Sequence, residues 1–170
     1  MSIVLIGVPG AGKSTIGALL ATQLGMTFID TDNLIEERAG KSISDIFTTD
    51  GESTFRTLEA QTIANVLAGP SSIVSLGGGA LGNEATRELV KGHIVLWLQT
   101  GLAQAVDRVG LNRNRPLLLG NVRGQLAALL TAREPIYRAA ADLVVDTSEL
   151  SIDEVVDECL RVLAEKGITP

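Results

Sequence analysis

The clearest chemical pattern in the sequence is GVPGAGKST at residues 7–15. A glycine, a four-residue gap and then Gly-Lys-Ser is typical of a loop whose backbone N–H groups hold phosphates at the start of a helix. Lys13 would place a positive charge at the β- and γ-phosphates, and Ser14 would offer Mg²⁺ a hydroxyl ligand. A simple glycine-rich turn explains the glycines but not Lys-Ser at this offset. The residues predicted to bind the nucleotide are Gly10, Ala11, Gly12, Lys13, Ser14 and Thr15.

Two aspartates, Asp30 and Asp32, lie where the short apolar pattern TFID at residues 27–30 ends. Unpaired carboxylates are costly to bury, so their presence here needs a reason. Asp30 could hold the hydration shell of Mg²⁺, and Asp32 could bind acceptor hydroxyls and receive the proton of the attacking one. The alternative is a helix cap, in which Thr31 or Asp32 satisfies the first amide groups of the following helix.

A second group of candidates lies in DIFTTDGESTFRTLEAQ at residues 45–61. Arg56 and Glu59 are three residues apart and can touch on one helical face. An arginine held by a glutamate beside Phe47 and Phe55 would suit a planar carboxylate bound by two parallel hydrogen bonds. As a surface pair, the same residues would contribute only a few tenths of a kcal/mol.

A run of three glycines occurs in SLGGGAL at residues 75–81, after a predicted strand. A tight turn needs one or two glycines, and each further glycine costs chain entropy. The third therefore suggests that the backbone approaches a ligand closely, with the amide groups of Gly78 and Gly79 as donors. A flexible turn is the alternative.

The elements that position these residues alternate between strand and helix. Apolar, β-branched runs predict strands at 2–7, 27–30, 71–77, 93–99 and 141–147. Helical spacing occurs at 13–24, 32–40, 52–68, 83–91, 101–109, 123–139 and 151–166, the last opening with the capping-box pattern SIDE. This order predicts an α/β fold with a doubly wound parallel sheet, which binds ligands beyond the carboxyl ends of its strands.

The 170 residues are predicted to form one domain, residues 1–170, with two additions to the basic repeat. Residues 32–70 replace one crossover by two or three helices, and residues 110–124, rich in arginine and glycine, could move over a site as a lid. The single cysteine, Cys159, excludes an internal disulfide, and its helical spacing predicts a packed thiol.

Composition limits which kinds of binding partner and which cellular compartment are expected. The net charge of −6, without a block of basic residues, argues against binding of nucleic acid or anionic membranes. The apolar start lacks the basic residues of a signal peptide, and no apolar run is long enough to span a bilayer. We therefore expect a cytoplasmic monomer that acts on a small molecule.

The absence of an Asn-Lys-x-Asp guanine-binding motif from the sequence argues against a GTPase. The chain is also too short for the machinery of a motor ATPase. A small kinase, with a second substrate opposite the γ-phosphate, is the favoured class.

Taken together, GVPGAGKST, FIDTD, DGESTFRTLE, SLGGGA, NRPLL and REPIY resemble the shikimate kinase family, in this order and over nearly the whole chain. The resemblance implies a P-loop kinase fold like that of nucleoside monophosphate kinases, with sheet order 2-3-1-4-5. It also implies phosphorylation of the 3-hydroxyl of shikimate by MgATP, on the pathway to chorismate and the aromatic amino acids.

The resemblance assigns roles residue by residue. Asp32 would bind the shikimate hydroxyls and serve as the candidate base, and Arg56, oriented by Glu59, would clamp the carboxylate together with Arg133. Gly78 and Gly79 would donate to the substrate. The ring would lie against Ile43, Phe47 and Phe55. Arg115 would reach the transferring phosphate, and Arg108 would lie over adenine.

One departure from the family pattern concerns the nucleotide base. After the last strand the chain reads VDTSELS at residues 145–151, without the basic or amide residue that the family often has there. Adenine would then be held by backbone groups, by Arg108 or by apolar contact near Leu150. Another small-metabolite kinase, such as a gluconate kinase, and a regulatory protein that has lost transfer are the alternative functions.

Overall fold

The computed structural model describes residues 1–110 and 121–170. In this part of the chain, five strands form one parallel sheet in the order β2-β3-β1-β4-β5, as predicted. The strands are β1 (Ile3–Ile6), β2 (Thr27–Asp30), β3 (Ser72–Ser75), β4 (Ile94–Gln99) and β5 (Leu143–Asp146). The helices are α1 (Lys13–Leu24), α2 (Thr31–Ala39), α3 (Ile43–Thr49), α4 (Glu52–Leu67), α5 (Glu84–Val90), α6 (Leu102–Gly110), α7 (Val122–Ala140) and α8 (Ile152–Ala164).

The three central strands are buried on both faces. Every residue of β1 and β3 is buried, as are the residues of β4 apart from Gln99. Because successive side chains of a strand point to opposite faces, helices must cover both sides of the sheet. This burial is the physical reason for the nearly continuous apolar runs in the sequence.

Some predicted boundaries are too generous. The strands predicted at 2–7, 71–77 and 141–147 extend one or two residues beyond each end of β1, β3 and β5, although backbone hydrogen bonds to neighbouring strands continue to Leu76 and Thr147. One feature was not predicted: a short 3-10 helix at Ala80–Gly82, directly after the glycine run. The predicted capping box between Ser151 and Glu154 is present at the start of α8.

The predicted addition at 32–70 contains α2, α3 and α4 and has a small core of its own. Three buried residues form it, with three partly buried neighbours packed against them: Ile35, Ile46 and Phe55, then Ile43, Phe47 and Leu58. The rings of Phe47 and Phe55 have centroids 4.8 Å apart. This second core holds α4 in place by packing, and α4 carries Arg56 and Glu59.

The predicted lid at 110–124 includes residues 111–120, which lie outside the described part of the chain together with Arg115. The last residues of the predicted lid belong to α7, because Asn121 accepts a hydrogen bond from the Gly124 amide and caps this helix. The lid therefore stays a prediction.

Cys159 is fully buried in α8, where burial raises the pKa of its thiol to about 12. Such a thiol is not a nucleophile at neutral pH, which agrees with the packed role predicted from its spacing. Within residues 1–110 and 121–170, none of the helices has the length and apolar character needed to cross a membrane.

Candidate active site

The phosphate-binding loop joins β1 to α1. Gly10 and Gly12 have φ angles of 84° and 90°, a left-handed conformation that residues with a side chain rarely adopt. The ammonium group of Lys13, largely buried, donates hydrogen bonds to the carbonyl oxygens of Gly7 at 2.8 Å and Val8 at 3.1 Å. The loop backbone therefore surrounds the Lys13 ammonium group. It lies at the amino end of α1, where the helix dipole favours an anion.

Ser14 and Asp30 meet beside this loop. The Ser14 hydroxyl donates to Asp30 Oδ2 at 2.6 Å, which brings together two of the oxygen ligands that Mg²⁺ prefers. The other carboxylate oxygen of Asp30 accepts from the amides of Asp32 and Asn33 and caps α2. The alternative that Thr31 or Asp32 is the cap is therefore wrong. Asp30 caps the helix with one oxygen and faces Ser14 with the other.

The first glycine of the run makes room for two carboxylates. A Cβ at Gly77 would lie 2.6 Å from Asp32 Oδ1 and 2.9 Å from Glu59 Oε1. Real Cβ atoms do not approach other heavy atoms so closely, so a side chain at this position would displace the acids. Gly77, which the sequence did not single out, thus seats Asp32 and Glu59 at the end of β3.

The next two glycines do the same for two arginines. A Cβ at Gly78 would lie 2.8 Å from Arg133 Nη1, and one at Gly79 would lie 2.7 Å from Arg56 Nη2. The run was predicted to let a ligand approach the backbone. Its effect in the structure is to let the protein's own charged side chains approach it, so that Asp32, Arg56 and Arg133 converge on three successive residues.

The pair of Arg56 and Glu59 is more than a surface contact. Glu59 is only 3% exposed and accepts a hydrogen bond from Arg56 Nη1 at 2.7 Å. Burial raises the pKa of Glu59, the carboxylate of Asp32 acts in the same direction, and the guanidinium of Arg56 opposes both. A buried carboxylate bonded in this way fixes the direction of the arginine fork, which is one-third exposed.

A cavity of about 350 Å³ runs from the phosphate-binding loop to the glycine run. Most of the predicted nucleotide residues line it, together with both aspartates and two glycines: Gly10, Ala11, Gly12, Lys13, Ser14, Thr15, Asp30, Asp32, Gly77, Gly78 and Arg108. Arg56, Arg133, Gly79, Phe47 and Phe55 are not among its lining residues, so the predicted carboxylate clamp and apolar wall lie beyond this cavity.

Arg108 lies on the nucleotide side of the cavity. Its guanidinium donates to the carbonyl of Gly10 at 3.3 Å, and to the hydroxyl and carbonyl of Thr147, each at 3.4 Å. Beyond it the wall is apolar, formed by Leu150, Ile152 and Val155. Leu150 thus lines the same cavity as Arg108, and its contact with the base stays a prediction.

Gly79→Ala tests whether Gly79 provides the space that the Arg56 guanidinium occupies. The backbone of Gly79, with φ −99° and ψ −4°, accepts any residue, and the three atoms nearest to the new methyl group would all belong to the arginine fork. We expect the variant to fold and to lose about tenfold or more in kcat/KM for the carboxylate substrate, because a charge-assisted contact is misplaced. Steady-state kinetics with varied acceptor would measure this loss. Gly82→Ala is the control, since a Cβ there has no atom within 4 Å; equal losses in both variants would contradict the role of Gly79.

Comparison with known proteins decides the family. The family model of shikimate kinase matches residues 9–164. A shikimate kinase of Thermobifida fusca (strain YX) is 51% identical over 164 residues, which covers 96% of this chain and 95% of the relative. The chain belongs to the shikimate kinase family. As a member of this family, it is an ATP-dependent phosphotransferase that acts on shikimate.

Solved structures agree with this assignment. The shikimate kinase of Acinetobacter baumannii in complex with shikimate superposes with a TM-score of 0.93 at 33% identity, covering 99% of this chain and 95% of the other. A gluconokinase of Sinorhizobium meliloti 1021 superposes with a TM-score of 0.60 at 19% identity, over 97% of this chain and 92% of the other, which shows a shared fold alone.

Proposed function

We propose that this shikimate kinase transfers the γ-phosphoryl group of ATP to the 3-hydroxyl of shikimate at the glycine run, between the phosphate-binding loop and α4. The observation that carries this proposal is the convergence of Asp32, Arg56 and Arg133 on residues 77–79. One acid and two arginines around one turn match a small molecule that has hydroxyl groups at one end and a carboxylate at the other.

In this arrangement Arg56 and Arg133 bind the carboxylate and Asp32 binds the hydroxyl that attacks. Phosphoryl transfer needs little covalent chemistry from the protein, so alignment and charge stabilisation supply most of the acceleration. Asp32 orients the hydroxyl and accepts its proton as the new O–P bond forms and the bond to ADP breaks. Glu59 keeps Arg56 directed at the substrate, and the N–H groups of Gly78 and Gly79 are donors to it.

The oxygen pair of Ser14 and Asp30 fits Mg²⁺, which prefers oxygen ligands and retains several waters. Ser14 would bind the ion directly and Asp30 would hold its water shell. When bound, the ion neutralises charge on the β- and γ-phosphates. Lys13 lies on the same side, where its ammonium can exchange the carbonyls of Gly7 and Val8 for phosphate oxygens.

We extend the proposal to three further points. Arg115, in the segment outside the described residues, would offset charge on the transferring phosphate, and residues 110–124 would close over the site and exclude water. The chain would act as a monomer, as expected from the sequence. Its compartment would be the cytoplasm, in keeping with a lone, buried Cys159.

A coupled assay of ADP release tests the acceptor. Shikimate, quinate, gluconate and the nucleoside monophosphates would be compared at equal concentration with saturating MgATP. We expect strong turnover with shikimate alone, because the chain belongs to the shikimate kinase family; quinate and gluconate also carry a carboxylate and hydroxyls, so they test whether the site selects the shape of the acceptor. Turnover with gluconate instead would favour the alternative small-metabolite kinase, and ATP binding without any turnover would favour a regulatory protein.

A further inference from the structure

Tyr137, on α7, lies against the glycine run. Its side chain is 2% exposed, and its hydroxyl donates a hydrogen bond to the carbonyl oxygen of Gly78 at 2.7 Å. The ring packs beside Trp97 of β4, with centroids 5.9 Å apart. A buried hydroxyl therefore holds the carbonyl of the middle glycine in place.

Gly78 is the residue at which three parts of the site meet. A Cβ there would lie 2.8 Å from Arg133 Nη1, 3.3 Å from Pro9 Cδ and 3.5 Å from the carbonyl oxygen of Gly7. The phosphate-binding loop thus packs on one side of Gly78 and the guanidinium of Arg133 on another. A shift of this residue would change the distance between the nucleotide and the carboxylate clamp.

Arg133 is also a neighbour of Tyr137 along the helix, because residues four apart lie on one face. Burial raises the pKa of Tyr137, while the charge of Arg133 and a hydrogen bond between the two side chains act in the opposite direction. The phenol stays protonated at neutral pH, so its proton is available to Gly78. Its oxygen lone pairs are then available to an N–H of Arg133.

We propose that Tyr137 is a positioning residue for the carboxylate of the acceptor: its hydroxyl couples the guanidinium of Arg133 to the carbonyl of Gly78. The inference rests on the proposed function, since it assumes that Arg133 binds the carboxylate. Tyr137 does not touch the substrate. It restricts the conformations of the Arg133 side chain, which would otherwise have to be ordered when the substrate binds.

Tyr137→Phe is the variant that tests this coupling, because it keeps the ring and its contact with Trp97 and removes only the hydroxyl. We expect KM for shikimate to rise about five- to tenfold, the value of one buried hydrogen bond, while KM for ATP changes less than about twofold. With the neutral methyl ester of shikimate, the rise should be smaller than with shikimate itself. Thr131→Ala is the control on the same helix, since it removes an exposed hydroxyl that donates to the Ala127 carbonyl within α7, and both KM values should stay within about twofold of the original.

Arg133→Lys, alone and combined with Tyr137→Phe, separates the inference from the proposed function. Coupled effects on KM for shikimate, smaller together than the product of the single ones, would support the role of Tyr137. If Arg133→Lys left KM for shikimate unchanged, the clamp itself would be wrong and Tyr137 would lose its role with it. If Arg133→Lys raised this KM and Tyr137→Phe did not, or if the two effects multiplied, Tyr137 alone would be ruled out. Equal rises in the KM values of shikimate and ATP, with a lower Tm, would also overturn it as a general loss of packing.

Discussion

Asp32→Asn is expected to lower kcat by about two to three powers of ten, which corresponds to roughly 3–4 kcal/mol of barrier. The amide has nearly the shape of the carboxylate, so Gly77 still has room for it beside Glu59. It cannot accept the proton of the attacking hydroxyl, however, and it carries no charge to orient that hydroxyl. Because asparagine retains a hydrogen-bonding oxygen, KM for shikimate should change much less than kcat.

Steady-state rates with shikimate and MgATP, together with circular dichroism, would measure this effect on a folded protein. Asp157→Asn is the matched control, because it removes one acid from the exposed side of α8 and should leave kcat within about twofold. If Asp32→Asn retained more than about a tenth of the original kcat, Asp32 would not be the base and would have no major share in orienting the hydroxyl.

The fold was predictable because its signals are local. Central strands such as β1 and β4 are buried on both faces, and burial leaves an apolar run that needs no knowledge of the rest of the chain. The phosphate-binding loop is equally local, since Gly10 and Gly12 need left-handed backbone angles and Lys13 follows directly. The pair of Asp30 and Asp32 at the end of β2 was also visible in a stretch of a few residues.

The side chains that pack on the glycine run were not predictable, because these contacts join distant segments. Gly77 faces residues 32 and 59, and Gly78 faces residue 133, which comes from a helix far along the chain. Nothing near residues 75–81 in the sequence shows that charged side chains will fold onto that turn. The same holds for Tyr137: an apolar position in a helical pattern is usually core, and only its hydroxyl, bonded to a residue in another element, indicates more.

The sequence did not show that one carboxylate oxygen of Asp30 caps α2 while the other faces Ser14, and the reason is different. Cap patterns predict that some residue before a helix will bind its first amides, but the side chains of Asp30, Thr31 and Asp32 are all capable of it. The structure selects Asp30 because β2 ends there, while Thr31 is buried and donates to the carbonyl of Ser75. Asp32 is thereby released from capping and can face the glycine run.

Lys13→Met is expected to lower kcat/KM for ATP by about two to three powers of ten, because the β- and γ-phosphates lose their nearest cation. Methionine keeps most of the length and apolar volume of the lysine stem. Lys91→Met is the control: Lys91 is exposed and paired with Glu88, so its loss should change the rate less than about twofold. Single-turnover rates at saturating ATP would show how much of the loss lies in the chemical step.

The bonds from Lys13 to the carbonyls of Gly7 and Val8 allow a second explanation, in which the lysine only braces the loop. The two roles differ in what the variant loses. A brace acts on the folded state, so its removal would lower the free energy of unfolding by about 1–3 kcal/mol and leave the single-turnover rate nearly unchanged once ATP is saturating. A phosphate ligand acts on the transition state, so the rate would stay low at every ATP concentration. A saturating single-turnover rate close to the original would therefore remove Lys13 from catalysis and leave it the structural role alone.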